Sequence, residues 1–239
     1  MRSMQQQAYG GADNLEVMTE ARNYNRYLLD LVRSHANRSG RVLDFGAGGG
    51  QFALPLAHLG FDVTALEPDD LLRNRLDGRI PAVSGADELA DGSFQCIYTL
   101  NVLEHIPDDV AALRRLRTKL TNDGTLLIYV PAFPVLYTSM DAKVGHVRRY
   151  TRRTLIAAVR AAGFAVEHCA YVDSLGFFAT LLFKVGDNGA GNINRRALQL
   201  YDRAIFPLSR IVDRVTRRWF GKNVLLIARP DAGGVRMPS

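Results

Sequence analysis

The chain has 239 residues, of which 47% are hydrophobic, so it is long enough for one domain with a sizeable core. Its two cysteines, Cys96 and Cys169, lie far apart within apolar runs, which argues against a disulfide scaffold or a zinc site and favours a cytoplasmic protein. The formal charge of +6 leaves nucleic acid, an anionic membrane surface and an acidic substrate open as partners. Residues 1–13 are polar and no apolar run is long enough for a membrane span, so we expect a single soluble domain over residues 1–239.

Before the first strand, apolar side chains recur at steps of three and four between about residues 14 and 36. This spacing predicts an amphipathic helix that covers the sheet. The segment 41–50, RVLDFGAGGG, then predicts a short buried strand that ends in a glycine-rich turn. Gly46, Gly48 and Gly50 alternate with small residues, so a ligand can lie directly against the main chain.

A helix and a second strand follow the glycine-rich turn. The apolar pattern that begins at Gln51 stops at Gly60, as expected for a helix that ends at a glycine. The next segment, FDVTALEP, predicts a buried strand that delivers Glu67 to its carboxyl end. Ligands of an open parallel sheet bind beyond the carboxyl ends of its strands, and an acidic side chain there can accept both hydroxyls of a ribose.

The spacing of the glycines distinguishes between nucleotide cofactors. A dinucleotide-binding fingerprint would need a glycine where this chain has Gln51. The pattern D-x-G-x-G-x-G that starts at Asp44 instead resembles the first motif of class I methyltransferases, which use S-adenosylmethionine (SAM). A glycine-rich turn without a ligand is the open alternative.

The resemblance covers about residues 14–229 and implies an α/β fold. It implies a doubly wound, seven-stranded, mostly parallel sheet of Rossmann-like type, with helical insertions after strands 5 and 6. It also implies that the helix near residues 14–36 caps the active site, where Met18, Tyr24 and Asn25 could contact a ligand. SAM is the implied cofactor, and the residues expected to bind it are Asp44, Gly46, Ala47, Gly48, Glu67, Pro68, Ala86, Asp87, Asn101 and Val102.

A third strand is predicted at residues 80–83, and the segment SGADEL follows it. In the family resembled here, a Gly-Asp-Ala-like turn at this place commonly reads the adenine amino group. When the segments are aligned on Leu89, Gly85 takes the place of the expected aspartate. Either Asp87 reaches over to the adenine, or the backbone of Ala86 recognises it alone.

The fourth predicted strand ends at Asn101, in the segment LNVLEHIPDD. Methyltransferases of base amines usually carry an Asn/Asp-Pro-Pro-aromatic quartet here, and its absence counts against DNA as a partner. In O-methyltransferases of ubiquinone synthesis, a Glu-x-x-Glu-His pattern at this place can hold a divalent cation, but here Asn101 replaces the first glutamate and only Glu104 and His105 remain. An amide carbonyl is a poorer ligand for a hard cation than a carboxylate, so we predict no metal and keep His105 as a pocket residue.

The segment 131–150, which follows the fifth strand, is too long for an ordinary connection. Its position predicts a lid or a wall of the acceptor site, and its pattern resembles an unassigned bacterial branch of methyltransferases often found with sugar and lipid biosynthesis. We predict that His146 accepts a proton, because imidazole titrates near neutral pH. The residues predicted to shape or orient the acceptor are Tyr137, Arg149 and Tyr150. In the alternative, Asp141 pairs with an arginine and His146 is merely packed.

Beyond a helix capped by Thr151 and a sixth strand at 164–171, a second insertion spans about residues 174–222. An apolar stripe and eight cations share the stretch 195–222, and Pro207 is expected to bend or break its helix. Such a helix could lie weakly on an anionic membrane surface. The alternative is that the stripe packs on the sheet or on the second subunit of a homodimer, with the arginines solvated.

These features predict a cytoplasmic methyltransferase that could lie on the inner membrane face. Its expected reaction transfers the methyl group of SAM to a small-molecule acceptor or to a lipid- or sugar-linked one. A SAM-binding regulator or scaffold without catalysis is the first alternative. An NAD-dependent oxidoreductase is disfavoured by Gln51 and by the lack of a recognisable hydride-transfer constellation.

Overall fold

Seven strands form one sheet in the computed structural model, which describes residues 16–187 and 189–231. The strands are β1 (Arg41–Phe45), β2 (Asp62–Leu66), β3 (Ala82–Val83), β4 (Phe94–Leu100), β5 (Leu120–Pro131), β6 (Phe164–Val172) and β7 (Asn223–Pro230). Their order across the sheet is β3-β2-β1-β4-β5-β7-β6. β7 is antiparallel to both of its neighbours, while the other neighbouring pairs are parallel. This is the predicted doubly wound, mostly parallel sheet.

Helices cover both faces of the sheet and fill both insertions. The α-helices are α1 (Arg22–His35), α2 (Ala53–His58), α3 (Asp70–Arg73), α4 (Asp109–Lys119), α5 (Ser139–Lys143), α6 (Arg152–Ala161), α7 (Ser174–Val185), α8 (Arg195–Leu200) and α9 (Phe206–Thr216). Short 3-10 helices lie at Asn74–Leu76, Ala86–Glu88, Leu103–His105 and Pro134–Leu136. Within the described ranges, no helix is both long and apolar enough to cross a membrane.

The core lies on both faces of the sheet. Successive side chains of a strand point to opposite faces, so a strand buried on both sides has a continuous apolar run. On one face, Ile97 packs with Leu116 of α4 and Val159 of α6. On the other face, Tyr98 packs with Leu28 of α1.

The helix predicted over about residues 14–36 is interrupted. Its first two residues lie outside the described part of the chain, and the long helix α1 begins only at Arg22. The carboxylate of Asp202 accepts hydrogen bonds from two N–H groups in the first turn of α1, at 2.9 and 3.0 Å. It takes the place of a local cap, because Ala21 has no side-chain oxygen. The apolar periodicity of a segment cannot predict a capping residue that lies 179 positions away in the chain.

The second insertion stays helical on both sides of Pro207, which was predicted to bend or break its helix. A π turn at Tyr201–Ile205 joins α8 to α9, and Pro207 is the second residue of α9. The N–H that proline lacks is not required in the first turn of an α-helix. The wider π turn just before it therefore accommodates the proline, and the helix continues to Thr216.

Candidate active site

The glycine-rich turn after β1 has the backbone that its sequence pattern predicts. Gly46 (φ 80°), Gly48 (φ 55°) and Gly50 (φ 85°) all lie in the left-handed region. A Cβ at Gly46 would meet Val102 at 2.5 Å, and one at Gly50 would meet Leu76 at 2.4 Å. A Cβ at Gly48 would meet nothing within 4 Å, so the main chain there is open to close approach by a ligand.

Glu67 lies at the end of β2 with its carboxylate across the glycine turn. One oxygen accepts a hydrogen bond from the N–H of Gly48 at 2.7 Å, and the other accepts one from the N–H of Asp69 at 2.9 Å. Each carboxylate oxygen keeps a further lone pair. The side chain is thus fixed at the strand end where a ribose would lie, with acceptor capacity left for its hydroxyls.

The glycine-rich turn after β1 is anchored by the neighbouring strand β2. The N–H groups of Gly46 and Ala47 donate to the carbonyl of Leu66 at the end of β2. Asp44 lies on β1 and is 3% exposed. Burial raises the pKa of its carboxyl to about 7, and the nearby charge of Glu67 adds to the rise. Contact between Asp44 and SAM stays a prediction.

The remaining predicted cofactor residues after β2 and β3 lie along the same edge. Pro68 is exposed directly after Glu67. Ala86 and Asp87 lie in the 3-10 helix that follows β3, where Ala86 is half-buried against the core and Asp87 is exposed. Whether the Asp87 side chain or the Ala86 backbone recognises adenine stays a prediction.

Strained backbone marks this edge of the sheet. Among the described residues, three other than glycine have a left-handed backbone: Asn101 (φ 56°), Phe133 (φ 57°) and Asp173 (φ 65°). They follow the ends of β4, β5 and β6, respectively. Such residues cost free energy and are concentrated at functional sites, so the strain supports an active site at the carboxyl ends of these strands.

The start of α1 reaches the same edge. The Asn101 side-chain amide donates to the Tyr24 hydroxyl at 3.4 Å. Asn25 uses its amide locally and donates to the carbonyl of Met18 at 2.9 Å. Among the three cap residues singled out from the sequence, Tyr24 therefore contacts a predicted site residue.

A buried ion pair shapes the predicted lid. The Arg149 guanidinium donates to the two oxygens of Asp141 at 2.8 and 2.9 Å and to the carbonyl of Ala132 at 3.1 Å. Thr138 donates to the same carboxylate from its N–H and its hydroxyl. Burial acts to raise the pKa of Asp141, but the hydrogen bonds from His146 and Arg149 outweigh it and hold that pKa well below its usual range.

His146 is oriented by this carboxylate. Its Nδ1 lies 2.7 Å from Asp141 Oδ1. An ionised carboxylate can only accept, so Nδ1 carries the proton and Nε2 is left as the basic nitrogen. The side chain is 11% exposed. The N–H of Val147 donates to the carbonyl of Glu104 at 2.8 Å, which ties this part of the lid to the segment after β4.

Glu104 and His105 lie against His146, and ligand atoms of the three residues lie within 4.8 Å of one another. Glu104 is fully buried, and neither oxygen of its carboxyl has a hydrogen-bond partner in the part of the chain that the structure describes. Burial raises the pKa of Glu104 to about 8 and lowers that of His105 to about 4. Two imidazoles and a carboxylate form a set that transition metals accept, so the expected absence of metal stays a prediction.

The residues predicted to orient the acceptor use their polar groups inside the protein. The Tyr137 hydroxyl donates to the carbonyl of His146 at 2.7 Å. Tyr150 is 2% exposed and donates to Asp109 at 2.6 Å, and Arg149 is 6% exposed and paired within the lid. Buried polar groups need partners, and these have found theirs within the chain. Arg149 and Tyr150 therefore hold the segment that carries His146 in place, and their role in shaping or orienting the acceptor stays a prediction.

Two charged residues near this cluster were missed as site candidates. Asp173, directly after β6, is 1% exposed and accepts a hydrogen bond from the Tyr201 hydroxyl. The rule that ligands bind at strand ends could have identified it. Lys222 was counted only as one of the cations of the second insertion. Burial lowers its pKa, while the charges of Asp173 and Asp141 oppose the shift. No local pattern distinguishes Lys222 from its arginine-rich surroundings.

Comparisons with known proteins place this site in a family. A family model described as a methyltransferase domain matches residues 18–169. The ubiquinone biosynthesis O-methyltransferase of Xanthomonas campestris pv. campestris is 34% identical over 116 residues, which cover 44% of this chain and 48% of the relative. That of Xanthomonas oryzae pv. oryzae is 33% identical with the same coverage. The chain thus spans about half the length of the curated relatives it matches.

Solved structures share the fold. A SAM-dependent methyltransferase from Archaeoglobus fulgidus has a TM-score of 0.56 at 15% identity, covering 86% of this chain and 94% of that one. The 1,6-didemethyltoxoflavin-N1-methyltransferase of Burkholderia thailandensis, solved with S-adenosylhomocysteine, has a TM-score of 0.57 at 20% identity, covering 92% and 83%. At these identities the likeness shows the fold alone.

The family match covers more than half of the chain, so the chain belongs to the methyltransferase-domain family. Its sheet has the architecture of the SAM-dependent members. The open main chain at Gly48 and the fixed carboxylate of Glu67 fit SAM as the methyl donor.

Proposed function

We propose that the protein transfers the methyl group of SAM to a small-molecule acceptor and that His146 takes a proton from that acceptor. The observation that carries this proposal is the oriented imidazole beside the segment that follows β4, with Nδ1 2.7 Å from Asp141 and Nε2 3.7 Å from Glu104. A module that only bound SAM would have no need of a buried carboxylate and an arginine that fix one histidine tautomer. When bound, SAM supplies a methyl group on a positively charged sulfur, which is a good leaving group.

The chain's own residues supply binding, orientation and proton transfer. Glu67 and the glycine turn would hold the ribose end of the cofactor. His146 Nε2 accepts the acceptor proton, and the imidazolium that forms is stabilised by the ionised Asp141. Arg149 keeps that carboxylate charged through its two hydrogen bonds. The lid would exclude water while the acceptor and the methyl group are held on one axis.

Calorimetric titration of SAM, followed by measurement of S-adenosylhomocysteine release, tests this proposal. We expect Glu67→Ala to weaken SAM binding by about 1.5–3 kcal/mol, because a charge-assisted ribose contact is lost. Glu167→Ala is the matched control, since Glu167 lies on β6 and pairs with the exposed Arg229. Acceptors for the turnover assay should include hydroxylated aromatics, sugars and lipids. Tight SAM binding with no turnover across the panel would favour the regulator, and heat with NAD but not with SAM would favour the oxidoreductase.

We further propose that the protein is cytoplasmic and that its second insertion makes a weak, peripheral contact with an anionic membrane surface. Part of the apolar stripe is exposed, at Ile205, Leu208, Val215 and Trp219, and the apolar side of α7 is exposed as well. The exposed large apolar residues of the insertion include Phe178 (54%), Leu182 (75%), Phe183 (41%), Val185 (87%), Leu200 (68%), Ile205 (37%), Leu208 (50%), Ile211 (57%), Val215 (69%) and Trp219 (65%). This face supports a partner with an apolar surface.

The charges around this face support an anionic lipid surface over a second subunit. The two acidic residues of the stretch 195–222, Asp202 and Asp213, are only 3% and 5% exposed. The exposed cations of the same stretch are Arg195, Arg196, Arg203, Arg214, Arg217 and Arg218. In a two-fold homodimer a patch meets its own copy, so arginines would face arginines. Lipid headgroups of opposite charge would instead attract them.

Vesicle sedimentation tests the membrane contact. We expect binding to phosphatidylcholine vesicles that contain phosphatidylserine, loss of binding at high salt, and none to pure phosphatidylcholine. Trp219 is the single tryptophan, so its emission should shift to the blue on binding. Arg214→Gln with Arg218→Gln should abolish the effect, whereas Arg114→Gln with Arg115→Gln on α4 should not. A stable dimer in sedimentation, with indifference to vesicles, would assign the face to a second subunit.

A further inference from the structure

A groove of about 630 Å³ lies between the start of α1 and the second insertion. Its lining includes four arginines, Arg22 and Arg26 from α1 and Arg195 and Arg203 from the facing segment. Asn23 fixes the two walls to each other, because its side chain donates to the carbonyl of Asp202 at 2.9 Å. The groove is therefore a built concavity between two connected elements.

The arginines of the groove outnumber the acids that could neutralise them. Arg195 pairs with Glu20 at 2.8 Å. Within residues 16–187 and 189–231, no ion pair is formed by Arg22, Arg26 or Arg203. The other acid of the lining, Asp202, already accepts from the backbone at the start of α1. The groove thus carries an excess of unpaired guanidinium groups.

Two of these arginines, Arg22 and Arg26, lie near the N-terminus of α1, where a positive charge is unfavourable. Arg22 and Arg26 occupy the first turns of α1, near the positive end of its dipole, and no acidic residue lies in the first turn. They are also four positions apart, so like charges share one face of the helix. Both effects oppose folding of the empty groove, and an anion bound between the arginines would offset both.

The groove adjoins the edge of the sheet where the strands have their carboxyl ends. Asn23 lines the groove, and the next residue, Tyr24, meets the side chain of Asn101 at the end of β4. Asn101 is one of the strained residues that mark the functional edge. A molecule that reached from that edge across the start of α1 would place its far end among the arginines.

We propose that this groove binds a phosphoryl group, a phosphate or a diphosphate, carried by the methyl acceptor. The planar guanidinium fork matches phosphate oxygens in pairs, and three such groups without protein partners suit a multiply charged anion. The inference rests on the proposed function for the identity of the acceptor, although the anion site itself can be measured separately. The phosphoryl group could belong to a soluble phosphate ester or to a lipid headgroup at the membrane-facing insertion.

Titration of the full chain with inorganic pyrophosphate, at saturating SAM, tests the site. We expect binding to the wild type, weakened at least about tenfold in Arg26→Gln/Arg203→Gln. The matched control is Arg33→Gln/Arg38→Gln, which removes the same charge from a second arginine-lined cavity. There Arg33 is paired with Asp30 at 2.9 Å and Arg38 lies over the Phe61 ring at 5.5 Å. The control pair should leave pyrophosphate binding within about twofold of the wild type.

A second arm identifies the source of the phosphoryl group. If phosphatidylcholine vesicles containing phosphatidic acid displace pyrophosphate from the wild type, the groove takes a lipid headgroup; if they do not, it takes a soluble ester. The site is overturned if the wild type shows no pyrophosphate binding, if both variant pairs weaken it equally, or if pyrophosphate competes with SAM. SAM titration of the same samples separates these failures from failure of the methyltransferase proposal, which would appear as lost SAM binding in the wild type.

Discussion

The two insertions of this sheet both bury carboxylates, but they give them different partners. In the lid, the fully buried Asp141 accepts from three side chains, Arg149, His146 and Thr138, and from one N–H group, that of Thr138. In the second insertion, Asp202 and Asp213 accept from backbone N–H groups at the starts of other helices. The first arrangement orients the side chain of His146, whereas the second joins helices to one another.

This difference explains why α9 buries polar side chains and exposes apolar ones. Asp213 accepts from the N–H groups of Asp173 and Ser174 at 2.9 Å each, and the Ser209 hydroxyl accepts from the N–H of Leu175. Hydrogen bonds to a charged group contribute about 1.5–3 kcal/mol each, as much as burying a leucine or valine side chain. Several such bonds along one face of α9 outweigh its apolar stripe, and side chains such as Leu208 are left outside.

The largest expected effect comes from removing the imidazole that Asp141 orients. His146→Ala should lower turnover by about 10²–10⁴-fold, the usual contribution of a general base, with little change in SAM affinity. Single-turnover assays and calorimetry on the same preparations measure the two quantities. Full activity in the variant would reduce His146 to a packing role and make His105 the next candidate.

The next largest effect comes from removing the carboxylate that joins α9 to α7. Asp213→Ala should lower the free energy of unfolding by about 2–4 kcal/mol, because the donors at the start of α7 lose a charged acceptor. Urea denaturation measures it. Leu208→Ala, on the exposed side of the same helix, should stay within about 0.5 kcal/mol of the wild type. Similar values for the two variants would show that the polar face of α9 does not hold the insertion.

Glu104 differs from these carboxylates, because it is buried and no hydrogen-bond donor to it is found among the described residues. Glu104 has a pKa of about 8 when folded and an ordinary value of 4.5, so the unfolded chain releases this proton first as the pH rises. The folded state then binds more protons, and stability falls from pH 4.5 toward pH 8. Glu104→Gln should reduce the fall by on the order of 2–4 kcal/mol, and the pKa of Asp44, about 7, should leave a smaller residual slope.

Urea midpoints at pH 5 and pH 8 measure this dependence, at about 1.36 kcal/mol per unit of pKa difference. Glu167→Gln is the control, because its carboxylate is exposed and pairs with Arg229 on the surface of the sheet. Equal pH dependence in wild type and Glu104→Gln would mean that the carboxyl is not buried in solution as it is here.

Removal of divalent metal is expected to have no effect on turnover. A chelator should leave turnover unchanged, because Asn101 interrupts the metal-binding pattern and Glu104 is held neutral near pH 7 by burial. Activity measured before and after dialysis against chelator tests this expectation. Loss of activity that a divalent metal restores would make Glu104, His105 and His146 its ligands.

The cofactor side of the molecule could be predicted because its causes are local. Positive φ at Gly46, Gly48 and Gly50 is a steric property of glycine, and the apolar run of a strand reports its own burial. Right-handed parallel connections then bring the ends of successive strands to one edge. The expected place of Glu67 beside the glycine turn follows from these rules alone.

By itself, the sequence determined the seven-stranded sheet, the glycine turn, the acidic residue on the second strand and the position of a lid that carries His146. Only the tertiary structure decided that Arg149 would be enclosed within that lid, that Asp202 would cap α1, and that the apolar stripe of α9 would face outward. Periodicity states that a helix has two faces, but it does not state which face meets the core. That choice depends on which unpaired N–H groups and side chains the fold brings opposite the helix, and these come from segments up to 179 residues away in the chain.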